Sequence, residues 1–336
     1  MQNGIALTRQ GNFTEAIPRF LAAQGHVRDE YAADFNLALC YVATGQPSRA
    51  IEILSALKNH GNANAEVNNL LAQAYIGMGQ EKPALAAFRQ AVAQTPEDEK
   101  LYLFLADACM DHESYDLGLQ ILRAGLQHLP RSGLIHYERG VFFTFENQPD
   151  AAEEEFHAAE NLEPKSDVFY MAAGQAALLE GNVPEAVRVT REGVRAGYQN
   201  FILLALFGTA AGDSGVAPDR PLFAEAEAAL EKSVNEHPSN AGAQVALAKL
   251  YLRANRVADA IAHLEIARKL APSDPAVYSH LAIAYRRQGE AAKAQEALGI
   301  LAKLDADQAA KYKTDSPNKA GYVAAGRTAR KSPQQQ

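Results

Sequence analysis

The chain has 336 residues, 48% of them hydrophobic, and its formal net charge is −8. This composition excludes a disordered or collagen-like chain and is typical of an ordinary globular protein. The negative charge disfavours nucleic acid as a partner, because the phosphate backbone repels an acidic protein.

Only Cys40 and Cys109 are cysteines, which excludes a disulfide scaffold and a Cys-rich zinc site. No stretch reaches the roughly 18 consecutive apolar residues of a membrane helix, so we expect no direct membrane insertion. The N-terminus has neither the basic nor the apolar region of a signal peptide. The sequence does not decide where the protein is located: it is cytoplasmic, or it is periplasmic or secreted if an N-terminal signal was removed.

A period of 34 residues organises the chain. Pro96, Pro130 and Pro164 are 34 residues apart, and so are Pro238 and Pro272. Self-similarity of this length is typical of a repeat architecture. Extending the period gives nine repeats, of which the first lacks its opening residues and the seventh has six extra residues. Their bounds are 1–30, 31–64, 65–98, 99–132, 133–166, 167–200, 201–240, 241–274 and 275–308.

Two columns of the repeat hold only small residues, which predicts two helices crossing closely in every repeat. The eighth column reads Gly4, Ala38, Ala72, Ala106, Gly140, Gly174, Gly208, Ala248 and Ala282. The twentieth reads Ala16, Ala50, Ala84, Gly118, Ala152, Ala186, Ala226, Ala260 and Ala294. Between them, the apolar residues recur at helical spacing.

The middle of most repeats holds a Gly or Asn, which favours the left-handed backbone of a tight turn between helices. These residues are Gly11, Gly45, Gly79, Asn147, Gly181, Asn255 and Gly289. A Pro in the thirty-second column ends the second helix.

This pattern of small, aromatic and proline columns closely resembles the tetratricopeptide repeat over residues 1–308. The usual Trp near the start of each repeat is absent, and Tyr102, Tyr170 and Tyr278 stand in its place in three repeats. The resemblance implies an all-α, right-handed superhelical solenoid of about nine helix-turn-helix units, whose first helices line a concave surface. Residues 1–308 then form one array, and residues 309–336 form a short capping helix and a disordered basic tail.

Three irregular segments stand out. Residues Gly212 to Pro221 read as a loop, either a tolerated insertion or a partner contact. Residues 305–313 predict a short helix that would turn Ala306, Ala309 and Ala310 toward the ninth repeat, with disorder following it. The first repeat begins without a cap, which indicates a fragment of a longer precursor or a frayed end.

No motif for catalysis is present. The chain has no HExxH, GxSxG, CxxC or Gly-rich phosphate loop, and its nine His are scattered over different columns. We therefore expect no enzyme activity, no metal and no cofactor. Cys40 and Cys109 lie in core-facing columns and are predicted to be buried.

The resemblance implies that a partner lies along columns 2, 5, 9, 12 and 13 of the first helices. It predicts a binding surface with an apolar part in repeats five and six and a basic part in repeats eight and nine. Its members are Tyr137, Val141, Phe145, Met171, Gln175 and Leu178, followed by Lys249, Arg253, Arg286 and Arg287. The Lys/Asn clamp of chaperone-binding relatives is absent in its usual form, because Phe35 and Leu39 occupy two of its columns in the second repeat.

The function that follows is a protein–protein interaction scaffold, which binds a peptide or helical segment of a partner in its groove. The alternative is a non-catalytic arm of a larger secretion or assembly machine or enzyme. A third possibility is weak self-association through exposed terminal repeats; otherwise we expect a monomer.

Overall fold

The computed structural model describes the backbone of residues 1–315 and the side chains of residues 1–307. The described residues form eighteen α-helices and no β-strand. The helices are α1 Gln2–Arg9, α2 Phe13–Leu21, α3 Glu30–Ala43, α4 Pro47–Asn59, α5 Ala65–Gly77, α6 Glu81–Val92, α7 Glu99–Asp111, α8 Tyr115–His128, α9 Gly133–Phe145, α10 Pro149–Leu162, α11 Asp167–Leu179, α12 Val183–Arg195, α13 Phe201–Asp213, α14 Pro221–Glu236, α15 Ala241–Arg253, α16 Val257–Leu270, α17 Pro275–Gln288 and α18 Ala291–Asp315.

Odd-numbered helices are the first helices of the nine repeats and even-numbered helices are the second. Within each unit, first helices pack on the second helix of the same repeat, as α5 does on α6, and on the next first helix, as α5 does on α7. The chain divides into two compact units, an N-terminal unit Met1–Leu179 and a C-terminal unit Glu180–Gln336. The boundary falls inside the sixth repeat. The prediction of one array over residues 1–308 stays a prediction.

Most first helices begin at side-chain caps. Asp29, Asn64, Ser132 and Asn240 each accept a hydrogen bond from a backbone N–H in the first turn, at 2.8–3.0 Å. These bonds satisfy donors that have no partner within the helix. Several second helices begin instead with Pro at the first or second position, where a missing N–H costs nothing.

All eighteen residues of the two small columns are buried, as the sequence predicts. The contacts explain why they are small. A Cβ built on Gly140 would lie 2.6 Å from the Phe156 ring, and one on Gly118 would lie 2.0 Å from the Phe142 ring. The crossing of α9 with α10 inside repeat five, and that of α8 with α9 between repeats four and five, are therefore each filled by a ring from one helix against bare backbone of the other.

The turn between the two helices is left-handed in every repeat. All seven predicted Gly and Asn residues have positive φ, and Glu113 and Gly215 adopt the same conformation in the fourth and seventh repeats. The Cβ of Glu113 disfavours this left-handed conformation, which the turn nevertheless imposes on it. The turn position is therefore the same in all nine repeats by backbone conformation, although the Glu of the fourth repeat does not show it in the sequence.

The Tyr residues that replace Trp join consecutive repeats. The Tyr102 hydroxyl donates a hydrogen bond to the Pro96 carbonyl at 2.7 Å, and the Tyr278 hydroxyl donates to the Pro272 carbonyl at 2.8 Å. In both cases the Pro ends the preceding repeat. Each bond therefore ties the first helix of one repeat to the end of the repeat before it.

The insertion in the seventh repeat is shorter as a loop than predicted. Gly212 lies within α13, which ends at Asp213, and Pro221 is the first residue of α14. The loop is therefore residues 214–220. The remaining extra length extends α14 to 16 residues, compared with 14 in α16.

The predicted short helix at residues 305–313 is wrong as a separate element, because α18 runs without a break from Ala291 to Asp315. No proline lies between residues 291 and 315, so the helix of the ninth repeat continues. The side chains of Ala309 and Ala310 and the whole segment 316–336, with its predicted disorder, lie outside the described residues. Up to Asp315, no helix is both long and apolar enough to span a membrane.

Candidate functional site

A groove lies on the N-terminal unit where three first helices end. Its walls come from the C-terminal ends of α3, α5 and α7 and from the turn that leads into α4, and its volume is 760 Å³. We call it the first-helix groove. Its lining residues are Leu39, Val42, Ala43, Gly45, Gln46, Pro47, Ser48, Arg49, Gln73, Gly77, Met78, Phe104, Asp107, Ala108, Asp111 and His112.

Large apolar side chains stand exposed in this groove. Phe104 on α7 is 53% exposed, and Met78, which follows α5, is 41% exposed. Most large apolar side chains of the unit are buried in its core. Leaving a Phe half in water forgoes stabilisation of order 1 kcal/mol, which a bound partner would recover.

Two carboxylates share the groove with these apolar groups. Asp107 is exposed at the groove surface, and its partial desolvation by the groove walls, reinforced by the charge of Asp111, raises its pKa to about 6. Burial also raises the pKa of Asp111, and the neighbouring His112 partly offsets this. Neither carboxylate forms an ion pair with any side chain among residues 1–307. The groove therefore holds crowded negative charge that no ion pair neutralises.

A third carboxylate lies beside them. Glu138 on α9 is only partly exposed, and burial together with the charge of Asp107 raises its pKa to about 8. Burial is the larger cause. At neutral pH this carboxyl still holds its proton to a large extent, so the negative charge of the cluster lies mainly on Asp107 and Asp111.

Two residues of the predicted apolar part of the binding surface are buried, and the others are at least partly exposed. Tyr137 and Met171 are 2% and 1% exposed and pack inside the N-terminal unit. Tyr137 also forms a side-chain hydrogen bond with Gln175, and burial raises the pKa of its hydroxyl. In this conformation both side chains position their neighbours and offer almost no surface to a ligand.

The other residues of this predicted part, which include the polar Gln175, reach the surface. Val141, Gln175 and Leu178 are half-buried. Phe145 is 58% exposed and stacks on Tyr115, with ring centroids 5.5 Å apart. Phe145 is thus the member of this set that could contact a partner most directly.

Most of the predicted basic part is already occupied by internal contacts of the C-terminal unit. Lys249 forms an ion pair with Asp213 at 2.6 Å. Arg253 donates to the carbonyls of Gly212 and Val216 at 2.9 and 3.2 Å.

Arg287 makes the equivalent contact one repeat later. It donates to the Leu252 carbonyl at 2.5 Å. Arg253 and Arg287 share the thirteenth column, and each binds the end of the preceding first helix. Arg286 is exposed and has no ion pair with a side chain in residues 1–307, so it is the predicted cation most available to a partner.

Sequence reasoning missed Phe104 and Glu138 because both occupy the sixth column, outside the columns that the resemblance assigns to ligands. A signal was present: no other repeat has a Phe or a Glu in this column. Cys40 and Cys109 are buried free thiols, as predicted, and burial raises the pKa of both.

Comparison with known proteins agrees with the helix pairs. Two family models described as tetratricopeptide repeat match the chain, one at residues 7–74 and 222–279 and the other at residues 69–140. No curated protein matches it significantly.

Solved structures share the fold at low identity. A chain of the APC/C hetero-tetramer Cut9–Hcn1 has a TM-score of 0.54 and 16% identity, over 84% of this chain and 57% of that one. A tetratricopeptide repeat protein from Parabacteroides merdae has a TM-score of 0.51 and 17% identity, over 76% of this chain and 98% of that one. The chain thus spans little more than half of the Cut9–Hcn1 chain.

These matches and the nine helix-turn-helix units define an all-α helical-repeat protein. The chain belongs to the tetratricopeptide repeat family. The fold is that of a protein-interaction scaffold.

Proposed function

We propose that the chain is an interaction scaffold that binds a segment of a partner protein on the surfaces of its first helices. The observation that carries the proposal is Phe104, a half-exposed aromatic ring inside a groove built from three first helices. Aromatic anchors in concave sites supply much of the energy of protein recognition. Phe145 and the half-buried Val141 and Leu178 extend the apolar surface of the same unit.

The C-terminal unit contributes charge in this proposal. Of the four predicted cations, Arg286 is the one without an ion pair or hydrogen bond among residues 1–307, whereas Lys249, Arg253 and Arg287 bond to neighbouring helices or turns. A rim charge of this kind changes association rate more than affinity.

A pull-down with the full chain tests both parts. Phe104→Ala should lose at least one co-purifying protein by about tenfold, since it removes an anchor worth of order 1–2 kcal/mol. Arg286→Glu should reduce recovery of an acidic partner. Leu21→Ala, which removes an exposed apolar side chain at the end of the second helix α2, is the matched control. Identical recovery by all variants and the wild type would refute the proposal.

The alternative is that the repeats are a non-catalytic arm of a larger secretion or assembly machine or enzyme. One structurally similar chain does come from an assembly, the Cut9–Hcn1 hetero-tetramer. The reading frame next to the gene distinguishes the two ideas, because an adjoining catalytic domain would support the arm.

A further inference from the structure

The carbonyl groups at the ends of the first helices have different hydrogen-bond partners in the two units. In the C-terminal unit, the carbonyls of Gly212 and Leu252, at the twelfth column, each accept two hydrogen bonds. One comes from the backbone of the following turn. The other comes from an Arg of the next repeat, Arg253 or Arg287, at the thirteenth column.

In the N-terminal unit, no repeat after the first has an arginine in this column. The equivalent carbonyls are those of Val42 and Ile76, and each accepts a bond from its turn, Gly45 N–H at 3.1 Å and Gly79 N–H at 2.8 Å. The thirteenth column of the next repeat holds Gly77 and Asp111 instead of Arg. Within the described residues, no side chain donates to either carbonyl.

These helix ends open into the first-helix groove, which Val42, Gly77 and Asp111 line. A helix C-terminus bears partial negative charge from its unpaired carbonyls. Three such ends therefore meet beside Asp107 and Asp111. Arg49 and His112 also line the groove, but the Arg49 guanidinium is engaged by Gln46 at 2.9 Å and by the Tyr41 ring.

The charge of the whole unit points the same way. Residues 1–179 contain 12 Lys and Arg against 23 Asp and Glu, a formal charge of −11. Residues 180–315 contain 16 Lys and Arg against 17 Asp and Glu, a formal charge of −1. An acidic surface speeds the approach of a cationic segment.

We infer that the first-helix groove binds an extended segment of a partner protein in which a Lys or Arg is next to a large apolar residue. The cation takes the place at the helix ends that Arg253 and Arg287 take inside the C-terminal unit, and it neutralises Asp107 and Asp111. The apolar residue packs on Phe104 and Met78. This inference rests on the proposed function and names the chemistry of the partner.

A random-peptide display selection on the full chain tests the inference. The recovered peptides should be enriched in Lys or Arg next to an aromatic or aliphatic residue. A labelled peptide from this selection then serves as the probe for affinity by fluorescence anisotropy. Asp107→Asn with Asp111→Asn should weaken its binding roughly tenfold, which corresponds to about 1.4 kcal/mol.

A second variant fills the site from within. Asp111→Arg places an arginine at the thirteenth column, as in repeats eight and nine, and should abolish binding of the probe while circular dichroism and thermal unfolding show an intact fold. The matched control is Glu52→Gln with Glu154→Gln, exposed residues of the second helices α4 and α10, which removes the same charge outside the groove. This control should change affinity less than twofold.

The outcomes separate the two ideas. If Phe104→Ala abolishes binding but both Asp variants bind as the wild type does, the scaffold stands and the cationic specificity is wrong. Equal weakening by the groove and control pairs would also overturn it, because only the general field would matter. If the chain selects no peptide, both ideas fail.

Discussion

At the residue scale, the N-terminal unit holds carboxyl groups in surroundings that oppose their ionisation. Glu138 is the clearest case, with a pKa raised to about 8 by burial and by Asp107. A cluster of like charges costs stability, and proteins retain such clusters where a ligand supplies the missing counter-charge. This cost gives the cluster a measurable signature in the stability of the free protein.

We predict that Glu138→Gln stabilises the protein at pH 8.5 by about 2 kcal/mol. In the unfolded chain, Glu138 ionises near 4.5, whereas in the fold it holds its proton to about pH 8. Stability is therefore lost as pH rises through this window, and the Gln variant escapes the loss. At pH 5 the gain should be much smaller.

Urea unfolding at the two pH values measures this difference, with Glu154→Gln as an exposed control. A gain for Glu138→Gln that is equal at pH 5 and pH 8.5 would contradict the assignment. The pH dependence should also diminish in Asp107→Asn, because Asp107 contributes to the raised pKa of Glu138.

At the element scale, the repeat depends on helices that cross with almost no space between them. Gly118 on α8 faces the fully buried Phe142 ring of α9, and a Cβ there would lie 2.0 Å from a ring carbon. Such an overlap must move the ring or the helix. The helix would otherwise gain from alanine, which is the better helix former.

We therefore expect Gly118→Ala to destabilise the protein by about 2 kcal/mol despite that gain. Gly299→Ala is the matched change, because Gly299 is an exposed glycine within α18 with no atom near its added Cβ. It should stabilise by about 0.5–1 kcal/mol. Thermal unfolding of both variants checks the opposite signs, and a neutral or favourable effect at Gly118 would refute the crossing argument.

Much of this local structure is predictable from the sequence, because it depends on close packing and on backbone conformation. Small columns and turn glycines are restricted to few residue types, so they show in a single chain. The ends of α13 and α18 were placed wrongly, since Gly212 is tolerated in a helix and nothing stops the last one.

The binding surface is less predictable because its residues are not restricted in this way. An Arg in the thirteenth column looks like a free groove cation, yet Arg253 and Arg287 bind helix-end carbonyls. The sequence shows the charge but not its partner. Likewise, Tyr137 lies in a ligand-facing column and is nonetheless buried.

At the scale of the whole molecule, two units each have a hydrophobic core of their own. Both cysteines belong to the N-terminal unit, where Cys40 and Cys109 are fully buried. Burial raises the pKa of Cys109 to about 12, so the thiol is unreactive until the unit opens. Thiol modification therefore reports on one unit alone.

We predict that Gly118→Ala, in the N-terminal unit, speeds thiol modification by tenfold or more in mild denaturant. Gly208→Ala, whose Cβ would lie 2.3 Å from Leu230 in the C-terminal unit, should speed it far less. In repeat proteins, stability is set mainly by each repeat and its nearest neighbours. Equal acceleration by both variants would show that the two units unfold as one.

The pairing of a helix-end carbonyl with the arginine of the next repeat bears on how such arrays grow. Repeat eight contains both an acceptor and a donor of this kind. Its Leu252 carbonyl accepts a hydrogen bond from Arg287 of the next repeat, and its Arg253 donates one to the Gly212 carbonyl of the preceding repeat. A tandem duplicate of residues 241–274 would meet its own copy with a matching donor and acceptor at the new junction. Lengthening by gene duplication, or by design, is therefore easiest at this repeat.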